Sequence, residues 1–136
     1  MKKNVFIILL FSCLLGLAQA PKLISYQGVA RDGSGTIITS GNIGVKFEIL
    51  QGSSIGTVVY SESHTASPTS SGIFTVAIGG GTPIVGSLPL INWATGPYFI
   101  RIGIDPAGGT SYSTVGTSQL LSVPYALFAE RAATAP

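Results

Sequence analysis

Three features of this chain could carry chemistry, and each implies a different reaction. Gly52-Ser53-Ser54-Ile55-Gly56 spells G-x-S-x-G, the turn that presents a serine nucleophile in many hydrolases. His64 is the only histidine, by type a general base or a metal ligand. Cys13 is the only cysteine, and Leu10-Phe11-Ser12-Cys13 loosely matches the box at which a lipoprotein is acylated. None of the three is supported by its surroundings. The nucleophile turn needs a strand-to-helix junction and a large sheet, whereas this pentad joins two β-type runs and its histidine follows closely, in the wrong order. It reads as a turn. A lone histidine with no partner histidine or cysteine makes no ordinary zinc or copper site, so His64 reads as a surface residue at a strand end. Phe11 is bulky for the lipoprotein box and apolar residues continue past Cys13, so ordinary leader cleavage is favoured.

The remaining candidates are weaker. Asp32 and Asp105 each stand before or at a Gly-rich turn without the clustered oxygens of a calcium loop, and read as turn formers. Gly79-Gly80-Gly81 lacks the lysine and helix start of a phosphate loop. Trp93, with Tyr98, Tyr60 and Tyr112, could stack on a sugar face. A single Trp in a long loop more often plugs the open end of a small sandwich, and that reading is preferred; Trp93 and Tyr98 stay as candidates for glycan stacking. No residue is assigned to catalysis, a metal or a cofactor, and the chain reads as a non-enzyme.

These side chains must be positioned by short β runs divided by turn residues. Leu23 to Arg31 reads as a strand ended by Asp32-Gly33-Ser34-Gly35, and Thr36 to Thr39 as a short β segment. From Ile43 to Leu50 the apolar Ile43, Val45, Phe47 and Ile49 alternate with Gly44, Lys46, Glu48 and Leu50. That period of two buries the first set and turns the charges outward. Thr57 to Ser63, Ile73 to Ile78, Tyr98 to Asp105, Ser111 to Val115 and Thr117 to Leu121 are further strands. A long connection runs from Gly79 to Gly96. At Ser122 the period lengthens, and Pro124 opens a short helix over Tyr125 to Ala133. The fold class expected is all-β, an antiparallel β-sandwich, Ig-like or transthyretin-like, with a barrel as the alternative.

Residues 1–20 read as a secretory signal helix. Lys2 and Lys3 precede an apolar run from Val5 to Leu17, too short to span a bilayer, and small Ala18 and Ala20 follow. Cleavage falls after Ala18 or after Ala20, with Ala18 preferred because Pro21 would flank the second cut. The domains are then the leader, a β module over 21–122 and the short helix over 123–136. Beyond the leader the basic residues Lys22, Arg31, Lys46, Arg101 and Arg131 balance Asp32, Glu48, Glu62, Asp105 and Glu130. No basic patch exists to displace counterions from a nucleic acid, and no later run is apolar and long enough for a transmembrane span.

Several segments together carry a resemblance. They are Ile24-Ser25-Tyr26-Gln27-Gly28, Arg31-Asp32-Gly33-Ser34-Gly35, the strand from Gly72 to Gly79, Asn92-Trp93, Gly96-Pro97-Tyr98-Phe99, and Leu120-Leu121-Ser122-Val123-Pro124-Tyr125-Ala126-Leu127-Phe128-Ala129. Their order resembles an N-terminal module of secreted and cell-surface bacterial proteins that precedes coiled-coil, collagen-like or tail-fibre-like regions. The resemblance implies a structural anchoring or assembly role, secreted or at the cell surface, with self-association as a trimer if a stalk follows. Pro124, Tyr125, Leu127 and Phe128 are then the candidate assembly contacts. The competing reading is a carbohydrate-binding module that takes a glycan or a surface protein as partner.

Overall fold

The computed structural model describes residues 23–121. The expected signal helix, the expected C-terminal helix and the candidate assembly contacts Pro124, Tyr125, Leu127 and Phe128 lie outside the described residues. Within them the chain is all-β, with seven strands in two antiparallel sheets: β1 Ile24–Val29, β2 Ile43–Gln51, β3 Thr57–Ala66, β4 Ile73–Ile78, β5 Thr82–Val85, β6 Tyr98–Asp105 and β7 Ser113–Gln119. Strands β1 and β4 pair in a small sheet, and the large one runs β5-β3-β2-β6-β7. Among the described residues no helix is long and apolar enough to cross a membrane.

Strand β2 lies at the centre of the large sheet because its alternation is the most regular. Ile43, Val45, Phe47 and Ile49 are fully buried, while Lys46 and Glu48 turn outward, and Glu48 pairs with both Lys46 and Arg101 of β6. Leu50 departs from the expected pattern. It is buried although it keeps the face of Lys46 and Glu48: the extra residue at the β2–β3 register shift is Val59 of β3, and β2 runs in unbroken register with β6 through Leu50. The small sheet closes the core from the other side. Phe74, Val76 and Ile78 of β4 are buried, and the Tyr26 ring of β1 meets Phe47 edge-on at 5.1 Å.

Three expectations about the elements are corrected. The connection from Gly79 to Gly96 contains strand β5, paired with β3, and two short 3₁₀ turns at Leu88–Leu90 and Trp93–Thr95. The two short segments expected between Ser111 and Leu121 are one strand, β7, with a register irregularity opposite Ile102 and Gly103. Thr36 to Thr39 contributes a single bridge, Arg31 to Ile37, rather than a strand.

The G-x-S-x-G pentad is the loop of the β2–β3 hairpin, where Gln51 pairs with Thr57. Its glycines have local causes. Gly52 has φ +93°, and a Cβ on Gly56 would lie 2.0 Å from the Gln51 carbonyl oxygen. Both positions demand glycine for backbone reasons, and no nucleophile is required to explain them.

Candidate functional site

Two groupings emerge once the sheets are in place. The first is a polar cluster inside the sandwich. Tyr60, Glu62 and His64 alternate along β3, opposite Ile49, Phe47 and Val45 of β2, and so face the core together. Glu62 is 0 % exposed. Its carboxylate accepts the Tyr60 hydroxyl proton, a contact from His64 Nε2 at 2.6 Å, and the backbone N–H groups of Gly79 at 2.8 Å and Gly81 at 3.3 Å. An ionised carboxylate can only accept, so His64 Nε2 carries a proton. The expectation of a surface histidine is thereby corrected: the imidazole lies in the cluster and packs edge-on against Phe47 at 5.6 Å. Burial pushes the Glu62 carboxyl up, but the hydrogen bonds from Tyr60, His64 and Gly79 outweigh it and hold the group below its ordinary value. Burial first, then the bond to Glu62, pushes the Tyr60 phenol well up.

With all its acceptor sites engaged, this carboxylate fastens β3 to the turn between β4 and β5. The signal was present in the sequence as Tyr60-x-Glu62-x-His64, three polar-tipped residues on one face of a strand. The two aspartates act similarly. Asp32 Oδ1 accepts from the Ser34 N–H and hydroxyl and the Thr36 N–H. Asp105, buried, accepts from the N–H groups of Ala107 and Ser111. Both are turn formers, as their spacing implies.

The second grouping is an apolar groove at one end of the sandwich, built around Trp93. Asn92 caps the 3₁₀ turn that carries Trp93 by accepting from the Ala94 N–H. The indole is 49 % exposed, so it does not plug the core. Tyr98 plugs it instead: 6 % exposed, it meets Trp93 edge-on at 5.1 Å and donates its hydroxyl to the Asn92 carbonyl at 2.6 Å. Of the two residues considered for glycan stacking, Trp93 therefore presents a free ring face and Tyr98 does not. Trp93 borders two adjoining hollows of about 440 and 400 Å³. Leu23, Ile24 and Leu88 line the first, and Ile24, Leu120 and Leu121 the second. Among the described residues, no charged one lines either. Leu23, Ile24 and Leu121 are 47 %, 37 % and 77 % exposed.

Comparison with known proteins finds one family, described as a domain of unknown function (DUF8740), that matches residues 25–118. No curated protein and no solved structure matches the chain. The match runs from the second residue of β1 to the penultimate residue of β7 and covers well over half of the sequence, so the chain belongs to the DUF8740 family.

Proposed function

We propose that this chain is a non-catalytic structural module of the cell exterior, the anchoring or assembly domain of a fibre- or adhesin-like protein, exported by the leader over residues 1–20. The observation that carries this reading is where the β domain is entered and left. Leu23 and Leu121 both border Trp93, so the flanking segments join the module at one apolar end. A domain held by one end leaves its other surfaces free, the geometry of a unit mounted on a stalk. The acidic side chains support the same reading. Asp32, Glu48, Glu62 and Asp105 each already hold at least two donors within the fold. Their charge is engaged in turns and strand pairs within the fold, as in a scaffold.

Fractionation of the native bacterium tests it. The chain is expected in the surface or medium fraction, with a mass corresponding to cleavage after Ala18 or Ala20. Retention in the cytosol with the leader uncut overturns the proposal. One observation favours a second reading, carbohydrate binding: the half-exposed Trp93 ring in a groove whose described lining residues carry no charge. Binding on a glycan array that Trp93→Ala abolishes, with unchanged melting, would establish it.

A further inference from the structure

We propose that another hollow, of about 360 Å³, binds a neutral sugar through the side-chain amides of Gln51 and Asn92. Gln51, Ser87, Asn92 and Thr95 supply its polar groups, and Leu90 and Ile91 part of its apolar wall. Gln51 is the last residue of β2, and Asn92 caps the 3₁₀ turn Trp93–Thr95. Backbone bonds hold the parts in place. The Gly52 N–H donates to the Pro97 carbonyl at 2.8 Å, and the Thr95 N–H to the Asn92 carbonyl at 3.1 Å.

The side-chain network then fixes which way each amide faces. Gln51 Nε2 donates to the Thr95 carbonyl and to Thr95 Oγ1, both at 3.0 Å. The Thr95 hydroxyl in turn donates to the Asn92 carbonyl at 2.8 Å, and the Tyr98 hydroxyl donates to the same oxygen at 2.6 Å. Asn92 Oδ1 accepts from the Ala94 N–H at 3.1 Å. An amide whose nitrogen is committed has its oxygen left to offer, and the reverse. Among the described residues no hydrogen bond uses Gln51 Oε1 or the Asn92 Nδ2 donors. No buried side-chain oxygen or nitrogen there lacks a partner, so Oε1 of the half-buried Gln51 is open to solvent. The lining therefore keeps one acceptor and one pair of donors unused, both held by bonds within the fold.

That pairing selects the ligand. A sugar hydroxyl donates and accepts at once, so neighbouring hydroxyls can give a proton to Gln51 Oε1 and take one from Asn92 Nδ2. The described lining residues carry no charge, and a charged ligand would lose water without gaining a counter-ion. The C–H face of a sugar suits Leu90 and Ile91, the combination of apolar wall and few placed polar groups usual in small-ligand sites. Because the amides are locked beforehand, little side-chain freedom is lost on binding. Tyr98 lines both this hollow and one beside Trp93. The inference rests on the carbohydrate reading for the class of ligand, but places the hydrogen-bonding contacts away from the indole.

The test is a titration of the ¹⁵N-labelled chain, purified as the bacterium processes it, with glucose, galactose, mannose, fucose and N-acetylglucosamine. At least one sugar is expected to shift the Asn92 and Gln51 side-chain amide resonances saturably. Asn92→Asp keeps the capping oxygen and removes both Nδ2 donors, so affinity should fall about tenfold, the worth of one or two neutral hydrogen bonds, with melting unchanged. Asn42→Asp adds the same charge at the opposite end of β2 and should leave affinity as it was. Sugar binding that Trp93→Ala abolishes and Asn92→Asp leaves intact overturns this site while the Trp93 reading stands. Binding lost in Asn92→Asp and kept in Trp93→Ala supports this site alone. Asn92 and Gln51 amide resonances that no sugar moves overturn the inference, whatever the variants do. Resonances moved by triglycine and by no sugar also overturn it, by assigning the hollow to a peptide.

Discussion

Glu62 is where a single substitution should tell most. Its carboxylate holds the Tyr60 hydroxyl, His64 and two backbone N–H groups in a site closed to water. Glu62→Ala removes the shared acceptor and strands buried donors. Breaking a buried ionic network in this way costs about 3–5 kcal/mol, which urea unfolding at neutral pH would measure. A cost below about 1 kcal/mol would mean that water replaces the carboxylate readily. The same residue sets an acid limit. Its folded-state pKa is lowered, as are those of Glu48, through Arg101 and Lys46, and Asp32, through Ser34 and Thr36. Groups of this kind contribute their stability in full above the unfolded-state values of ~4. That contribution is lost as pH falls through the lower folded values. Melting temperature should therefore be flat from pH 7 to about 5 and drop below about pH 4, and Glu62→Gln should flatten that drop by taking one titrating group away. The alternation of Tyr60, Glu62 and His64 was visible in the sequence. What hid the cluster was the expectation that a lone histidine at a strand end lies at the surface, which set His64 apart from Glu62. The Gly79 and Gly81 N–H groups that make burial tolerable come from a turn 17 to 19 residues away, and no local pattern reveals them.

Strands β4 and β6 have the bounds that the alternation of Phe74, Val76 and Ile78 and of Tyr98, Ile100, Ile102 and Ile104 implies. Both keep one buried face throughout. Legibility fails where an element is at an edge. Strand β5 carries Pro83, which demotes a run to loop when the sequence is read alone, yet β5 lies at the edge of the large sheet, where proline is tolerated. Strand β7, the other edge, is exposed along its whole length and has no buried face to set a period. Gly116 looks like a break there because glycine usually ends a run. Its role can be separated from that of a glycine the sheet requires. A Cβ on Gly44 would lie 2.1 Å from the Gly109 carbonyl oxygen, whereas one on Gly116 meets nothing within 4 Å. Gly44→Ala should thus push the β6–β7 turn away and destabilise by roughly 1–3 kcal/mol, as overpacking does. Gly116→Ala should be neutral or stabilise by up to ~1 kcal/mol, through the backbone freedom glycine loses on folding. Paired denaturant curves decide; equal losses at both sites would contradict the close packing of β2 against the turn.

At the scale of the whole molecule, two aromatic residues at different depths separate scaffold from site. Phe47 is fully buried and joins the sheets, with Tyr26 of the small sheet on its edge at 5.1 Å and His64 of the large sheet at 5.6 Å. Phe47→Ala leaves a cavity between the layers and should cost about 3–5 kcal/mol. A domain of this size has only ~5–15 kcal/mol in total, so the variant should be marginal at 37 °C. Trp93 is half exposed, and its removal should cost about half of the ~1.5–3 kcal/mol that full burial of a large apolar side chain provides. The contrast decides between two pictures of the open end. If Trp93→Ala melts with a small loss while glycan binding is lost, the indole belongs to a working surface and Tyr98 closes the core beneath it. If Trp93→Ala proves as damaging as Phe47→Ala, the indole is part of the core after all. The groove then has no free wall, and a glycan has no place to lie.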